Sequence, residues 1–317
     1  MDLNDKKLPL TTKLNSYFYS VALMTIAFIA QGVVLGFTVL LPFVQVDFQL
    51  SRAQLGLYPT FLFFSSFIMA LFSGWIVDYF GTKRMLVTGV FLLGLFMFLH
   101  SFVYSYFILL FIAFFTGLGH SIVTPAANKI IVECIPIRSR TIAMGIAQSG
   151  EGMGIILSSV ILTIIAIQYN WRSATICSGF FTLMIAFLLW QIYQKKKSVQ
   201  KKRIIDLEQI YFHFKENIKN LFKNRYLLSI SILGFAFGTA SSSTITHLVL
   251  FLNHDLGFST SMSGISLGIL QVGGIVGRLF WGLVKDRIYK GYSSKNILFW
   301  VGSVIAILFC IVCICCD

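Results

Sequence analysis

Few residues in this sequence could do chemistry, and most of them lie inside long apolar stretches. Glu151 stands in the run Gln148-Ser149-Gly150-Glu151-Gly152-Met153-Gly154. It lies about nine residues into an apolar segment, about 13 Å by helical rise and so near the middle of a bilayer. An ionisable group at that depth is costly unless it faces protein or a water-filled cavity. Two readings stay open for Glu151: a carrier that takes up and releases a proton, and a hydrogen-bonded structural residue against a neighbouring helix. His120, Thr124 and Asn128 follow one another at four-residue spacing, so they share one helix face, and Pro125 loosens the helix beside them. A solute-facing stripe is one reading of that face, and a satisfied packing histidine is the other for His120. Gln31, Gln148, His247 and Gln271 are further polar candidates within apolar segments. Lys129 and Glu133 are spaced for a local ion pair, with Glu133 also in reach of Arg84 or Arg140.

Other chemistry finds no support. There is no phosphate-binding glycine loop, no Gly-x-Ser-x-Gly and no spaced histidine pair, so the reading is of a non-enzyme without a cofactor. Six cysteines are present, and Cys310, Cys313, Cys315 and Cys316 cluster near the end. That cluster lies in an apolar run without a histidine, and reads as small buried residues rather than a metal site.

The elements that must position these residues are membrane helices. The chain of 317 residues is 57% hydrophobic and 12% charged, with a mean hydropathy of +0.83. A soluble domain carries about 25% charged residues. Nine segments are long and apolar enough to cross a bilayer: 18–43, 55–77, 85–103, 106–131, 142–167, 173–193, 227–252, 261–284 and 296–316. The polar start and the long first segment do not fit a cleavable signal. With the N-terminus in the cytoplasm, 21 of the 25 basic residues fall on the cytoplasmic side. Arg52 and Arg172 fall outside, while Lys129 and Arg278 lie within helix segments. The net charge of +13 is thereby explained by topology and lipid contact, without nucleic acid. The division expected is a six-helix bundle over 1–193, a cytoplasmic basic linker over 194–226 and three helices of a second bundle over 227–317. Ile204 to Phe222 within the linker has the pattern of an amphipathic surface helix.

A repeat links the two parts. Gly74-x-x-x-Asp78-x-x-Gly81-x-Lys83-Arg84 follows the second segment, and Gly282-x-x-x-Asp286-Arg287 follows the eighth, in matching positions. The first resembles the signature loop between helices two and three of the major facilitator superfamily, and the second resembles its weaker copy between helices eight and nine. Leu55-Gly56, Gly117 and Gly119, Pro136 with Arg140, and Asn170-Trp171-Arg172 agree with it, and the resemblance covers the whole chain. Three positions depart from the pattern. Tyr79 stands where a basic residue is usual, Ala113 where an Arg is common, and the fifth segment has no Gly-Pro pair.

The resemblance implies an all-α, multi-pass protein of the inner membrane, with its N-terminus cytoplasmic. It implies secondary active transport of a small organic solute, anions included, by alternating access and proton symport, with solute, protons and membrane lipid as the partners. Asp78 would face the start of helix eleven and Asp286 the start of helix five, latching the cytoplasmic side, with Gly74 and Gly81 permitting close approach and a tight turn. Lys83, Arg84 and Arg287 would pair with acids or lipid phosphates. The family plan has twelve helices and this chain shows nine. A truncated, non-transporting fragment or accessory protein is therefore the alternative. The chain alone is then expected to be unstable or inactive unless another chain supplies helices ten and eleven.

Overall fold

A computed structural model describes residues 10–194 and 223–288. The ninth apolar segment, the cysteine cluster near the end and most of the basic linker lie outside the described residues. All described elements are helical. In chain order they are α1 (Leu10–Leu35), a 3-10 stretch (Gly36–Leu40), α2 (Leu41–Phe48), α3 (Arg52–Phe80), α4 (Thr82–Leu99), α5 (Tyr106–Cys134), α6 (Arg140–Gln168), α7 (Trp171–Gln194), α8 (Arg225–His254) and α9 (Thr260–Ile288). Eight helical spans among these residues are long and apolar enough to cross a membrane, and they match the first eight apolar segments.

The local chemistry explains where helices start and stop. Ser51 caps α3 with a reciprocal box: its hydroxyl accepts from the Gln54 amide at 3.2 Å, and its own amide donates to the Gln54 side chain at 2.9 Å. One residue, Gly81, separates α3 from α4 with φ at 95°, a conformation that favours glycine. Asn170 caps α7 by accepting from the Ser173 amide at 2.7 Å. The first span departs from the continuous helix expected over 18–43. It tightens to 3-10 over Gly36–Leu40, just ahead of Pro42. Proline has no amide to give to the fourth residue back, and its ring crowds that carbonyl, so the chain is re-aimed there.

The spans bury one face and give the other to lipid. Phe61, Phe64, Phe67, Phe107, Phe111 and Phe180 are exposed on the outside of the bundle, as expected where hydrocarbon is the solvent. In lipid there is no hydrophobic drive between helices, so close contact has to come from small residues. The crossing of α1 and α6 is built that way. A Cβ added to Gly150 would fall 2.3 Å from the Thr25 carbonyl oxygen, and one added to Gly154 would fall 2.2 Å from that of Ile29. Helix α4 packs against α5 and α7, α3 against α5, and α9 against α6. Helix α8 touches mainly α9 and the 3-10 stretch among the described residues.

A polar clamp closes the end opposite Lys83, Arg84 and Arg140. Arg172 pairs with Asp47 at 2.7 Å and donates to the Val103 carbonyl at 3.0 Å, and its guanidinium stacks 4.5 Å from the Trp171 ring centroid. The Trp171 indole donates to the same Asp47 carboxylate at 3.1 Å. This ties α2, the turn after α4 and α7 together. An exposed pair between Arg52 and Asp255, at 3.1 Å, joins the start of α3 to the turn after α8.

The α1–α6 crossing yields a stability prediction. Gly150→Val should cost about 1–3 kcal/mol through overpacking, whereas Gly234→Val, with open space beside it, should cost less than about 1 kcal/mol. Thermal unfolding of the two purified variants in one detergent checks this, and equal melting temperatures would contradict it.

Candidate functional site

A cavity of about 180 Å³ lies among the helices, between α1, α3, α5, α6, α8, α9 and the 3-10 stretch. Every wall but α1, which brings Val34 and Leu35, supplies a polar group. Helix α6 brings Glu151, α9 brings Gln271 and Arg278, α5 brings His120, α3 brings Tyr58, and the 3-10 stretch brings Thr38. Ser241 and Ser242 of α8 complete the lining. Helix α9 can come this near because α6 is glycine-rich on the facing side. A Cβ on Gly145 would fall 3.0 Å from the Arg278 carbonyl oxygen, and one on Gly152 would fall 3.0 Å from the Ile275 side chain.

The electrostatic centre is a loose charge pair. Arg278 Nη2 lies 3.5 Å from Glu151 Oε2, and Arg278 Nη1 donates to the Gln148 carbonyl at 2.9 Å. A planar guanidinium has five donors, so the pair leaves capacity for a second acceptor. Three buried polar atoms in the same cavity have no partner: Thr38 Oγ1, His120 Nε2 and Gln271 Nε2. Buried polar groups are nearly always satisfied, so a cluster of unsatisfied ones around a void marks a place for a polar ligand. The arrangement can hold a small solute with an anionic group, and its carboxyl can exchange a proton. Among the described residues no cluster of His, Cys, Asp or Glu is placed to hold a metal ion.

The polar residues singled out in the sequence divide into two groups. Glu151, His120 and Gln271 converge on the cavity. Gln31, Thr124, Asn128 and Gln148 instead tie helices together. Gln31 Nε2 donates to the His120 carbonyl at 3.1 Å and reaches the Thr124 hydroxyl at 3.4 Å, while Gln148 Nε2 donates to Asn128 Oδ1 at 3.3 Å. The face shared by His120, Thr124 and Asn128 therefore presents only its first member to the void. His247 is exposed and is not part of the lining. Arg278, Thr38 and Tyr58 are cavity residues that pattern alone did not select. For Arg278 a signal existed, since a cation inside an apolar helix is as costly as the carboxyl of Glu151.

The signature-loop end shows different pairings from those expected. Asp78 pairs with Lys129 across α3 and α5, so Lys129 does not form its local pair with Glu133. Arg140 donates to the Ile135 carbonyl at 2.9 Å and the Val132 carbonyl at 2.7 Å, satisfying the end of α5 rather than reaching Glu133. Lys83 lies over the Tyr193 ring, 5.6 Å from its centroid, and Arg84 is exposed. Gly74 makes no close approach: among the described residues nothing lies within 4 Å of a Cβ placed there. Gly81 does form the tight turn. Gly282 meets the start of α6, where its Cβ would fall 3.3 Å from Ile142 Cα. Asp286 and Arg287 lie in the last turn of α9, and their expected side-chain contacts fall outside what is described.

Comparison with known proteins agrees with this architecture. The chain is 25% identical over 259 residues to the "Probable sulfoacetate transporter SauU" of Cupriavidus necator, covering 78% of this chain and 60% of that protein. It is 26% identical over 269 residues to the "Hexuronate transporter" of Bacillus subtilis, covering 81% and 61%. It thus spans about 60% of the length of these curated relatives. Among solved structures, the proton:xylose symporter XylE matches with a TM-score of 0.65 at 14% identity, covering 87% of this chain and 70% of that one. A bacterial homologue of the human lysosomal transporter Spinster, in an inward-facing and unoccupied conformation, matches with a TM-score of 0.60 at 20% identity, covering 83% and 60%. At those identities the structural likeness speaks for the fold alone. The family model described as Major Facilitator Superfamily matches residues 22–316, and the chain belongs to that superfamily.

Proposed function

We propose that this chain acts in secondary active transport of a small organic anion, coupled to protons, with Arg278 receiving the anionic group and Glu151 taking the proton. The observation that carries the reading is the loose Arg278–Glu151 pair in a cavity with unpartnered polar atoms. An anion that takes Arg278 leaves Glu151 without its counter-charge. A buried carboxylate without a partner is strongly unfavourable, so anion binding and protonation of Glu151 favour each other. Solute and proton then load together and leave together. The names of the relatives support the anion: sulfoacetate and hexuronate are both small organic acids.

The surrounding frame follows the same reading. The placement of basic residues supports an inner-membrane protein with its N-terminus in the cytoplasm. Two units, 1–193 and 227–317, joined by the basic linker 194–226, would rock about the cavity. The Asp78 loop and the Gly282–Asp286–Arg287 copy would latch the cytoplasmic side. The contact of Gly282 with the start of α6 supports the second latch.

Uptake of labelled sulfoacetate, D-glucuronate and D-glucarate into proteoliposomes tests the assignment. For a solute that is taken up, Arg278→Gln should weaken apparent affinity about 10–100-fold, the loss of a charge-assisted hydrogen bond. Glu151→Gln should abolish accumulation driven by an imposed proton gradient while sparing exchange, because the amide keeps the shape but carries no proton. Full coupling in Glu151→Gln would make Glu151 structural, and unchanged affinity in Arg278→Gln would remove the anion site.

Topology is checked separately. Asp78→Cys and Asp286→Cys should react with an impermeant maleimide only from the cytoplasmic side. Labelling of either from outside would overturn the orientation.

A further inference from the structure

Tyr58 is a second polar group of the cavity wall, and it is bonded to His100, which is not itself part of the lining. Both are buried, Tyr58 with 2% of its surface exposed and His100 with none. The His100 ring is held at both nitrogens. Nδ1 lies 2.7 Å from the Phe96 carbonyl oxygen, and Nε2 lies 3.1 Å from the Tyr58 hydroxyl. A carbonyl oxygen can only accept, so Nδ1 carries the proton. In the neutral ring Nε2 is then bare, and the Tyr58 hydroxyl must donate to it. The ring of Phe37, another cavity residue, packs 4.7 Å from Tyr58 and 4.9 Å from His100 and holds the two in place.

This arrangement fixes a direction. The single hydrogen of the Tyr58 hydroxyl is committed to His100, so its oxygen has only acceptor capacity left. Tyr58 lines the same cavity as Arg278, but on α3 rather than α9. One wall therefore offers donors to an anion, and another offers an acceptor with no spare hydrogen. We propose that Tyr58, set by His100 as a positioning residue, selects solutes that carry a hydroxyl donor as well as the anionic group. The proposal rests on the reading of Arg278 as the anion site. A solute without a donor leaves the Tyr58 oxygen unsatisfied, and a solute with a second acceptor there brings lone pairs together.

Two ligands of similar ring size separate the contributions. D-Glucuronate has one carboxylate and several hydroxyls, whereas cyclohexanecarboxylate has the carboxylate and no hydroxyl. Equilibrium binding of each to the purified protein in nanodiscs should favour D-glucuronate. Tyr58→Phe should weaken D-glucuronate about tenfold, the loss of one hydrogen bond with its partner left buried, and leave cyclohexanecarboxylate unchanged. His100→Phe should reduce the same affinity ratio by freeing the Tyr58 hydrogen. The double variant should lose no more than the larger single loss, because the two residues act as one unit. A merely structural pair would lower both ligands together and leave the ratio fixed, which would overturn the proposal. An unchanged ratio in His100→Phe would do the same if Tyr58→Phe fails to fold. If the unaltered protein binds both ligands without preference, this inference fails and the anion site stands. If it binds neither, both fail.

Discussion

The closeness of α6 to two neighbours at once is the constraint on which the site depends. On one side Gly150 and Gly154 let α1 approach until backbone meets backbone. On another, Gly145 admits the Arg278 backbone of α9 and Gly152 admits the Ile275 side chain. Glu151 lies between these contacts, so the glycines that make the crossings possible also place the carboxyl facing Arg278. A side chain at Gly145 or Gly152 would crowd α9 at 3.0 Å, on the side where the 3.5 Å pair of Glu151 with Arg278 forms. In hydrocarbon no other force compensates for lost contact of that kind, since lipid tails are as apolar as the helices themselves.

The same solvent sorts the polar residues. A polar group in a membrane helix must find a partner inside the protein, and most here do. Gln31 binds the backbone of α5, Gln148 binds Asn128, and many Ser and Thr hydroxyls return to carbonyls three or four residues back in their own helices, as Ser158 does to Gly154 at 2.9 Å. Against that background, Thr38, His120 and Gln271 stand out because their polar atoms have no partner and share one cavity. Tyr58 lies between these classes, satisfied by His100 yet lining the void. The clamp of Asp47, Trp171 and Arg172 shows the structural use of the same chemistry at a helix end, where one carboxylate serves two donors.

The signature loop separates two roles that a motif joins. Gly81 takes φ of 95° and turns α3 directly into α4, which is a local demand of the chain. Asp78 pairs with Lys129 in α5, which is a tertiary event. The spacing of Lys129 to Glu133 favours a local pair, but helix-surface pairs of this kind contribute only about 0.2–0.5 kcal/mol. A neighbouring helix that brings a carboxylate near can therefore redirect the lysine.

By itself, the sequence determined the spans, because hydropathy over about 20 residues reports directly on the cost of exposing a helix to lipid. It also determined the turn at Gly81 and the depth at which Glu151 must be shielded. It did not determine the break at Gly36–Leu40 as read here, although Pro42 carried the signal. Only the tertiary structure decided which polar residues share a cavity. His120, Thr124 and Asn128 lie on one helix face and are equal by spacing, yet Gln31 from α1 engages Thr124 and Gln148 from α6 engages Asn128, leaving His120 alone to the void. Arg278 and Glu151 are far apart in sequence, and no helical period connects them. Their pairing depends on how α6 and α9 cross, which the glycines permit and the packing of whole helices fixes.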